Sequence, residues 1–294
     1  APVFVLVAIG NIMNILSTRL GRVVDRSRVL RTHHAETEGA AHDAVVRETG
    51  WVFNNVTGEE LSLAEFVETG NHETRAYLEA FGLMTPDVAA QTMVEIGSGI
   101  GRMTASFSDI FGKVVACDLD AAFLERCRET VAQFGVPEKL QTCHVADGRT
   151  LGMADNSVDL VFSYITLQHC HHDDALALAR EAVRVAKPGG KICLNFRTWV
   201  PQDVVLWPAG KVTRATWRLP TVGPKIAQMR LPARLGWQAN RLAPTEVWST
   251  IGGSVTDAAI FRSPKRRSFA VPGTSDGVFD GVHRSHWWLI ATVK

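Results

Sequence analysis

Cysteine is scarce in this chain of 294 residues. There are five, at positions 117, 127, 143, 170 and 193, an odd number without the paired spacing of a zinc site or a disulfide framework. Most lie in or beside apolar runs, so they read as reduced, buried thiols, the usage of a cytoplasmic protein. Long apolar runs are missing as well. The richest, Pro2 to Leu16, is broken by Gly10, Asn11 and Asn14. It falls short of the ~20 residues a membrane span needs, and no basic n-region marks it as a signal peptide. Net charge is nearly absent, at +1 from 31 Lys and Arg against 30 Asp and Glu. With 46% hydrophobic and 21% charged residues, the composition is that of an ordinary globular protein with ample length for one α/β domain and its additions.

The charge is unevenly spread. Between Arg197 and Arg267 stand twelve Lys and Arg but only three acids, Asp203, Glu246 and Asp257. Such a tract is either a solvated, arginine-rich insertion or a face for an anionic partner or membrane surface. At the other end, Ile12, Leu16, Leu20, Val23 and Val24 continue one helical face, with the arginines mostly off it. That segment reads as an arm packing on the protein or on a second subunit, as in a homodimer. The competing reading is a helix lying in a membrane interface, giving peripheral membrane contact. Residues 32 to 56 look irregular and polar. From Ser62 to Phe81 the spacing is helical, with a break expected at Gly70 in Thr69-Gly70-Asn71-His72, a loop placed to cover a ligand or simply to join two helices. Pro86 closes this N-terminal helical arm and cap, residues 1–86.

The remainder, 87–294, is organised around Val94-Glu95-Ile96-Gly97-Ser98-Gly99-Ile100-Gly101-Arg102. Apolar residues lead into three glycines alternating with other residues, and an amphipathic run follows: buried strand, tight turn, helix start. Arg102 stands where a dinucleotide fingerprint places its third glycine. A second apolar strand, 113–117, ends in Asp118, 21 residues after Gly97, where a carboxylate can accept from a ribose diol. Strands and helices then alternate: helix 120–134, strand 140–144, Asp147-Gly148, strand 158–164, helix 173–186, a Pro188-Gly189-Gly190 turn and strand 191–196. This is the pattern of a doubly wound, mostly parallel sheet with its ligand crevice at the carboxyl ends of the strands. Residues 198–242 leave the pattern and read as an insertion over that edge. A helix from Pro244 and two strands, 255–262 and 287–293, joined without a helix, close the domain as an antiparallel hairpin.

Five ordered features, V-E-I-G-S-G-I-G-R, V-V-A-C-D-L-D, V-A-D-G, S-V-D-L-V-F-S-Y and A-K-P-G-G, make this region resemble the class I S-adenosylmethionine-dependent methyltransferases. The resemblance implies an α/β fold of seven strands in the order 3-2-1-4-5-7-6, with strand seven antiparallel. It also implies S-adenosylmethionine as methyl donor and S-adenosylhomocysteine as product. By that likeness Gly97, Ser98, Gly99 and Gly101 pass under the methionine portion, with Glu95 touching the cofactor or organising the loop. Asp118 takes the ribose hydroxyls and Leu119 packs on the adenine. Asp147 accepts from the adenine amino group, with Gly148 leaving room. Ser163, Tyr164 and Ile165 line the methionine side and face the acceptor. Asp118 and Asp147 are alternatively helix N-caps, Tyr164 is alternatively a packing residue, and Arg102 is either a partner of the cofactor carboxylate or a surface arginine.

Methyl transfer to a hydroxyl needs a group that takes the proton, and Gln168-His169-Cys170-His171-His172-Asp173-Asp174 follows strand four. His169, His171 and His172 are therefore the candidate bases, with Asp173 orienting one of the latter two, and His283 and His286 as reserves. Asp173 and Asp174 are also candidate ligands for Mg2+, although adjacent carboxylates at a helix start more commonly cap it. Seven of the eight tryptophans lie between Trp199 and Trp288. Trp287 and Trp288 alternate faces in a strand, so one of them is expected in the core, while those of the insertion suggest stacking surface for a flat or saccharide acceptor, or a lid packed on itself. Resemblance to actinobacterial sugar and glycolipid O-methyltransferases, including those of methylmannose polysaccharide biosynthesis, points to a carbohydrate hydroxyl, with a polyketide, quinone or phenol as the alternative. The Asn/Asp-Pro-Pro-Tyr/Phe motif of amino-group methylation is absent after strand four, which speaks against nucleic acid. An NAD-linked oxidoreductase is disfavoured by Arg102 and by Asp147. The expected location is cytoplasmic, with membrane association open.

Overall fold

A computed structural model describes residues 62–216 and 240–294. Residues 67–201 and 239–294 form one compact unit, and 62–66 with 202–216 belong to another. The N-terminal arm and the stretch 217–239 of the expected insertion lie outside the described residues.

The larger unit is an eight-stranded sheet. In chain order the strands are β1 Thr92–Ile96, β2 Lys113–Asp118, β3 Leu140–His144, β4 Val158–Ser163, β5 Ala186–Arg197, β6 Val255–Arg262, β7 Ser275–Val278 and β8 His286–Val293. Their spatial order is β3-β2-β1-β4-β5-β8-β6-β7. β1 to β5 run parallel, and β8 is antiparallel to both β5 and β6. The expected order is thus reproduced, with β8 as the seventh strand of the pattern. The addition is β7, which forms in the polar loop between the hairpin strands and pairs parallel with the edge of β6. Its Ser-Asp-Gly-Val sequence has no apolar alternation from which a strand could be read.

Four helices of this unit are α2 Thr104–Ile110, α3 Ala121–Phe134, α4 His172–Val185 and α6 Pro244–Ile251, and α1 Leu63–Ala80 precedes them. The remaining helix, α5 Asp203–Thr216, belongs to the smaller unit. Each face of the sheet has its own apolar core, because strand side chains alternate. One joins Val94, Ile96, Val161 and Trp287 to Leu178 and Val185 of α4 and to Val247 and Ile251 of α6. The other joins Met93, Phe162 and Trp288 to Phe107 of α2 and to Tyr77 and Leu78 of α1. Trp287 and Trp288, consecutive and on opposite faces, are both fully buried, one in each core. They are therefore not part of an acceptor-lining set of tryptophans.

α1 runs unbroken through Gly70, contrary to the expected break. Its inward residues Val67, Gly70, Thr74, Tyr77 and Leu78 recur at helical spacing. Ser62 and Glu65 begin it with a capping box: the Glu65 carboxylate accepts from Ser62 N at 2.8 Å, and Ser62 Oγ accepts from Glu65 N at 3.3 Å. Gly70 is a contact residue. A Cβ built there would lie 2.2 Å from the carbonyl oxygen of Arg102, the residue that ends the glycine turn. Beside it, Arg102 Nη1 sits 2.6 Å from the Glu73 carboxylate. The helix therefore packs directly on the back of the turn, and only a residue without a side chain allows it.

Gly70→Ala tests this opposition of local and tertiary preference. Alanine favours a free helix by about 1 kcal/mol, but a displaced Arg102 backbone costs about 1–3 kcal/mol. Urea denaturation is expected to show net destabilisation. A gain in stability would mean that the close approach does not exist.

Candidate active site

The carboxyl ends of β1, β2, β4 and β5, with the start of β8, bring the sequence-derived candidates to one edge. The glycine turn is clamped there by β2. Gly97 N and Ser98 N both donate to Cys117 O, at 2.7 and 3.1 Å. The next amide, Gly99 N, donates to Asp118 Oδ2 at 2.9 Å. Asp118 Oδ1 accepts from Asp120 N at 3.0 Å, and Asp120 itself caps α3 through Ala122 N. The N-cap role considered for Asp118 thus falls to Asp120. Each Asp118 oxygen retains a lone pair, enough to accept from two vicinal hydroxyls. Burial raises its pKa above the ordinary value.

The glycines of the turn are required for different reasons. A Cβ on Gly97 would collide with the Thr166 side chain at 2.1 Å, and one on Gly101 would press on Cys127 of α3 at 3.1 Å. Gly99, with φ +54°, would point a Cβ into open space with nothing within 4 Å. That is the surface on which a ligand can lie against bare backbone. Ser98 Oγ, buried and without a hydrogen-bond partner, lies in the same turn. Glu95 is buried beneath, where its carboxylate accepts from Thr104 Oγ1 at 2.6 Å and so ties β1 to the first turn of α2. Burial lifts its pKa to about 7.

Leu119 is 62% exposed, large and apolar, directly after Asp118. Across from it, a Cβ on Gly148 would meet only Leu119 Cδ1, at 3.7 Å. The two lie close together at the end of β2, where the Leu119 side chain offers an exposed apolar surface. Asp147 is exposed and closes its own turn, with Oδ1 accepting from Arg149 N at 2.8 Å and Thr150 N at 2.9 Å. Those bonds hold its pKa at about 2 and leave Oδ2 for an external donor. The loop beyond is fastened to α4 by Arg184, which pairs with Glu181 at 2.6 Å and donates to Leu151 O and Met153 O.

On the acceptor side the placement is mixed. Ser163 is fully buried, its hydroxyl donating to Ile96 O at 3.0 Å, so it ties β4 to β1 instead of presenting oxygen to a ligand. Tyr164 stacks on Trp288, with ring centroids 5.4 Å apart and planes 9° apart, and leans on Tyr77 at 4.9 Å. Burial pushes its phenol to about 12, so it is a neutral donor at physiological pH and no base. His172 is held at both nitrogens, by Asp173 at 3.0 Å and Glu246 at 3.3 Å, which joins the starts of α4 and α6 and raises its pKa. His171 is exposed at the N-cap of α4, and His169 Nε2 faces Gln168 Nε2 at 3.1 Å. Asp173 faces His172 while Asp174 pairs with Arg149 at 2.6 Å, so the two carboxylates have separate partners. Among the described residues no group of three His, Cys, Asp or Glu is arranged to hold a metal ion.

The structure brings forward a group that spacing ranks low. Asn195 on β5 is buried, and its Nδ2 donates to Trp287 O at 3.2 Å. Its Oδ1 accepts from Ile165 N at 3.3 Å and contacts His286 Nδ1 at 3.2 Å. The amide orientation is fixed by one obligatory acceptor and one obligatory donor, so His286 Nδ1 carries a hydrogen. The neutral ring then has its lone pair on Nε2. Burial, with Arg197, His283 and His169 nearby, depresses the His286 pKa to about 3. Ile165 itself has φ +53°, a conformation that a β-branched residue adopts only under constraint. Asn195 has no motif to advertise it. Only the antiparallel register, which sets Asn195 opposite Trp288 and Arg197 opposite His286, joins positions 90 residues apart.

A separate cavity of about 390 Å³, lined by Asp87, Gln91, Asp159, Lys187 and Gly189 among others, opens at the opposite edge of the sheet and is distinct from this crevice.

Parts of this chain are similar to known proteins. Residues 94–194 match a family described as a methyltransferase domain, and residues 1–56 match a family of unknown function, DUF2721. Phosphoethanolamine N-methyltransferase 1 of Triticum aestivum is 31% identical over 110 residues, covering 37% of this chain and 22% of that protein. The ubiquinone/menaquinone biosynthesis C-methyltransferase UbiE of Escherichia coli is 26% identical over 175 residues, 58% of this chain and 66% of that protein. The chain thus spans less than two thirds of either relative. A SAM-dependent methyltransferase structure from Thermotoga maritima aligns with TM-score 0.46 and 14% identity over 79% of this chain and 94% of that one. A methyltransferase from Haloferax volcanii, solved with the Trm112 methyltransferase activator, aligns with TM-score 0.48 and 14% identity, over 78% and 94%. The stretch that resembles a methyltransferase domain runs from β1 to β5, the part of the sheet whose carboxyl ends carry the glycine turn and Asp118.

Glu95 gives this edge a pH signature. Its folded pKa, about 7, lies above the usual 4.5, so the folded state holds the proton more tightly. Folding stability therefore falls as pH rises from about 4.5 to about 7. Relative to Glu95→Gln, the wild type is expected to lose about 1–3 kcal/mol between pH 5 and pH 8. Denaturation curves at the two pH values measure it, and a constant difference would place Glu95 in contact with water.

Proposed function

We propose that this protein is an S-adenosylmethionine-dependent O-methyltransferase acting on a hydroxyl of a small-molecule acceptor, a saccharide or glycolipid precursor. The observation that carries the donor half is the Gly99–Asp118 hydrogen bond, which sets bare backbone and a carboxylate side by side under open space. When bound, S-adenosylmethionine supplies a methyl on a sulfonium, ready for in-line displacement. The residues of the chain do the rest. Gly97, Ser98, Gly99 and Gly101 form the floor under the methionine portion. Asp118 accepts from the ribose diol, exposed Leu119 packs on the adenine with Gly148 leaving room, and Asp147 Oδ2 accepts from its amino group. Glu95 acts from below, fixing the turn through Thr104.

A hydroxyl must lose its proton as it attacks, and a neutral imidazole suits that step. His286 offers an unprotonated Nε2 with Asn195 holding the tautomer, at the cost of low basicity, its pKa being about 3. Among the histidines after β4, His169 is the one nearest the strand end, and with His171 it remains a candidate, whereas His172 is engaged at both nitrogens. A quinone or phenolic acceptor is the second reading; UbiE, similar over 175 residues, is a ubiquinone/menaquinone biosynthesis C-methyltransferase, a likeness that bears on the ring and not on transfer to oxygen. A cytoplasmic location, on or near a membrane, belongs to the same reading.

Gly99→Ala separates binding from folding. Its Cβ meets no protein atom, and the positive φ costs about 1–2 kcal/mol, so the variant is expected to fold. Calorimetric affinity for S-adenosylhomocysteine should drop at least about tenfold, as it should for Asp118→Ala. Binding of NAD in place of S-adenosylhomocysteine would refute the donor assignment.

For the proton acceptor, Asn195→Asp should raise the His286 pKa by about 1–3 units, because a carboxylate then faces the ring. Radiolabelled methyl transfer to saccharide, lipid and phenolic pools should lose activity toward acidic pH in this variant while the wild type does not. His286→Gln should retain S-adenosylhomocysteine binding and lose turnover. Equal pH profiles with full turnover in both variants would return the role to His169 or His171.

A further inference from the structure

Helix α5 is amphipathic with its apolar side outward. At 100° per residue, the exposed residues Val204, Val205, Pro208, Lys211, Val212 and Ala215 share an arc of about 120°. Val204, Val205 and Val212 are 72%, 70% and 65% exposed. The opposite side holds Asp203 and Gly210, both buried, and Leu206, Ala209 and Thr213, partly buried. A surface helix ordinarily turns its apolar stripe toward the core, and a contiguous apolar stripe left exposed marks an interaction surface.

Length limits what that surface can meet. Fourteen residues rise about 21 Å, well short of the ~30 Å hydrocarbon core. Among the described residues no helix is long and apolar enough to cross a membrane. The stripe can therefore be covered only by something lying along it.

Charge selects the partner. Between Val204 and Thr245 the sequence has seven Lys and Arg and no Asp or Glu. Within the arc the sole charge is Lys211, whose ammonium lies 3.5 Å from the centroid of the Trp207 ring. An aliphatic stem with its cation beside an indole suits an interface that is apolar on one side and anionic on the other. An apolar protein groove would satisfy the valines but leave the Lys211 ammonium at its edge without an anionic counterpart. Anionic lipid headgroups satisfy both.

We propose that α5 docks this protein on the surface of an anionic phospholipid bilayer, with Val204, Val205 and Val212 entering the boundary between headgroups and acyl chains. The inference goes beyond the methyl-transfer reading and does not depend on it. It is tested with the full chain and vesicles of phosphatidylcholine with or without phosphatidylglycerol, at low and high salt. Wild type should bind the mixed vesicles at least about tenfold more tightly than the neutral ones, and salt should weaken that binding. Val204→Asp with Val212→Asp should reduce it at least about tenfold. Exposed positions tolerate substitution, and unchanged circular dichroism and S-adenosylhomocysteine affinity would verify folding. Val204→Ser with Val212→Ser is the milder variant should the aspartates perturb the helix. Equal binding by wild type and both variants would assign any membrane affinity to another segment and overturn the proposal. So would equal binding to neutral and anionic vesicles, or a valine-dependent change in oligomeric mass without vesicle binding, which would make the stripe a protein interface.

Discussion

Three consecutive amides, from Gly97 to Gly99, are drawn onto the end of β2, two by the Cys117 carbonyl and the third by the Asp118 carboxylate. A turn this short cannot satisfy its own backbone donors, and a buried donor without an acceptor costs about 1–3 kcal/mol. The parallel pairing of β1 with β2 supplies the acceptors at the level where the turn begins. Everything on the donor side follows from that clamp. It presents the Gly99 backbone outward, fixes the Asp118 carboxylate beside it, and stands Leu119 at the sheet edge with its side chain exposed.

The clamp is reinforced from behind by packing that tolerates no substituent. α1 closes on Arg102 through Gly70, Thr166 closes on Gly97, and Cys127 of α3 closes on Gly101. Glu95 adds a buried polar strut to Thr104. The strut carries a cost, since a buried carboxylate resists ionisation, and its elevated pKa is the trace of that cost. Rigidity of this kind suits a binding floor, because a preorganised backbone need not be ordered when a ligand arrives.

Much of this was legible along the chain because the donor half is built from residues close in sequence. Glycines 97, 99 and 101, Asp118, Leu119 and Gly148 all follow strand ends, and the alternation of strand and helix determines where those ends lie. Gly70 was misread because a glycine in a helical run signals a break locally, whereas here it answers to a carbonyl 32 positions away. β7 was missed because edge pairing of a four-residue Ser-Asp-Gly-Val stretch leaves no periodic signature. Ser163 and Tyr164 stand beside the site in sequence yet turn inward. One is held by the Ile96 carbonyl and the other by the rings of Trp288 and Tyr77.

The Asn195–His286 pair was hidden for a different reason, since its geometry arises across an antiparallel pair. Two adjacent registers, Asn195 with Trp288 and Arg197 with His286, set a buried amide against an imidazole that no spacing rule connects to it. The same amide holds the N–H of Ile165 in a strained conformation at the end of β4. Strain of this kind persists only where surrounding structure imposes it, and here a single side chain links it to the tautomer of His286. Relaxing Ile165 would free one lone pair of Asn195, and turning Asn195 would release the Nδ1 hydrogen of His286. Backbone conformation at the end of β4 and the tautomer of His286 are thereby joined through one buried carbonyl oxygen.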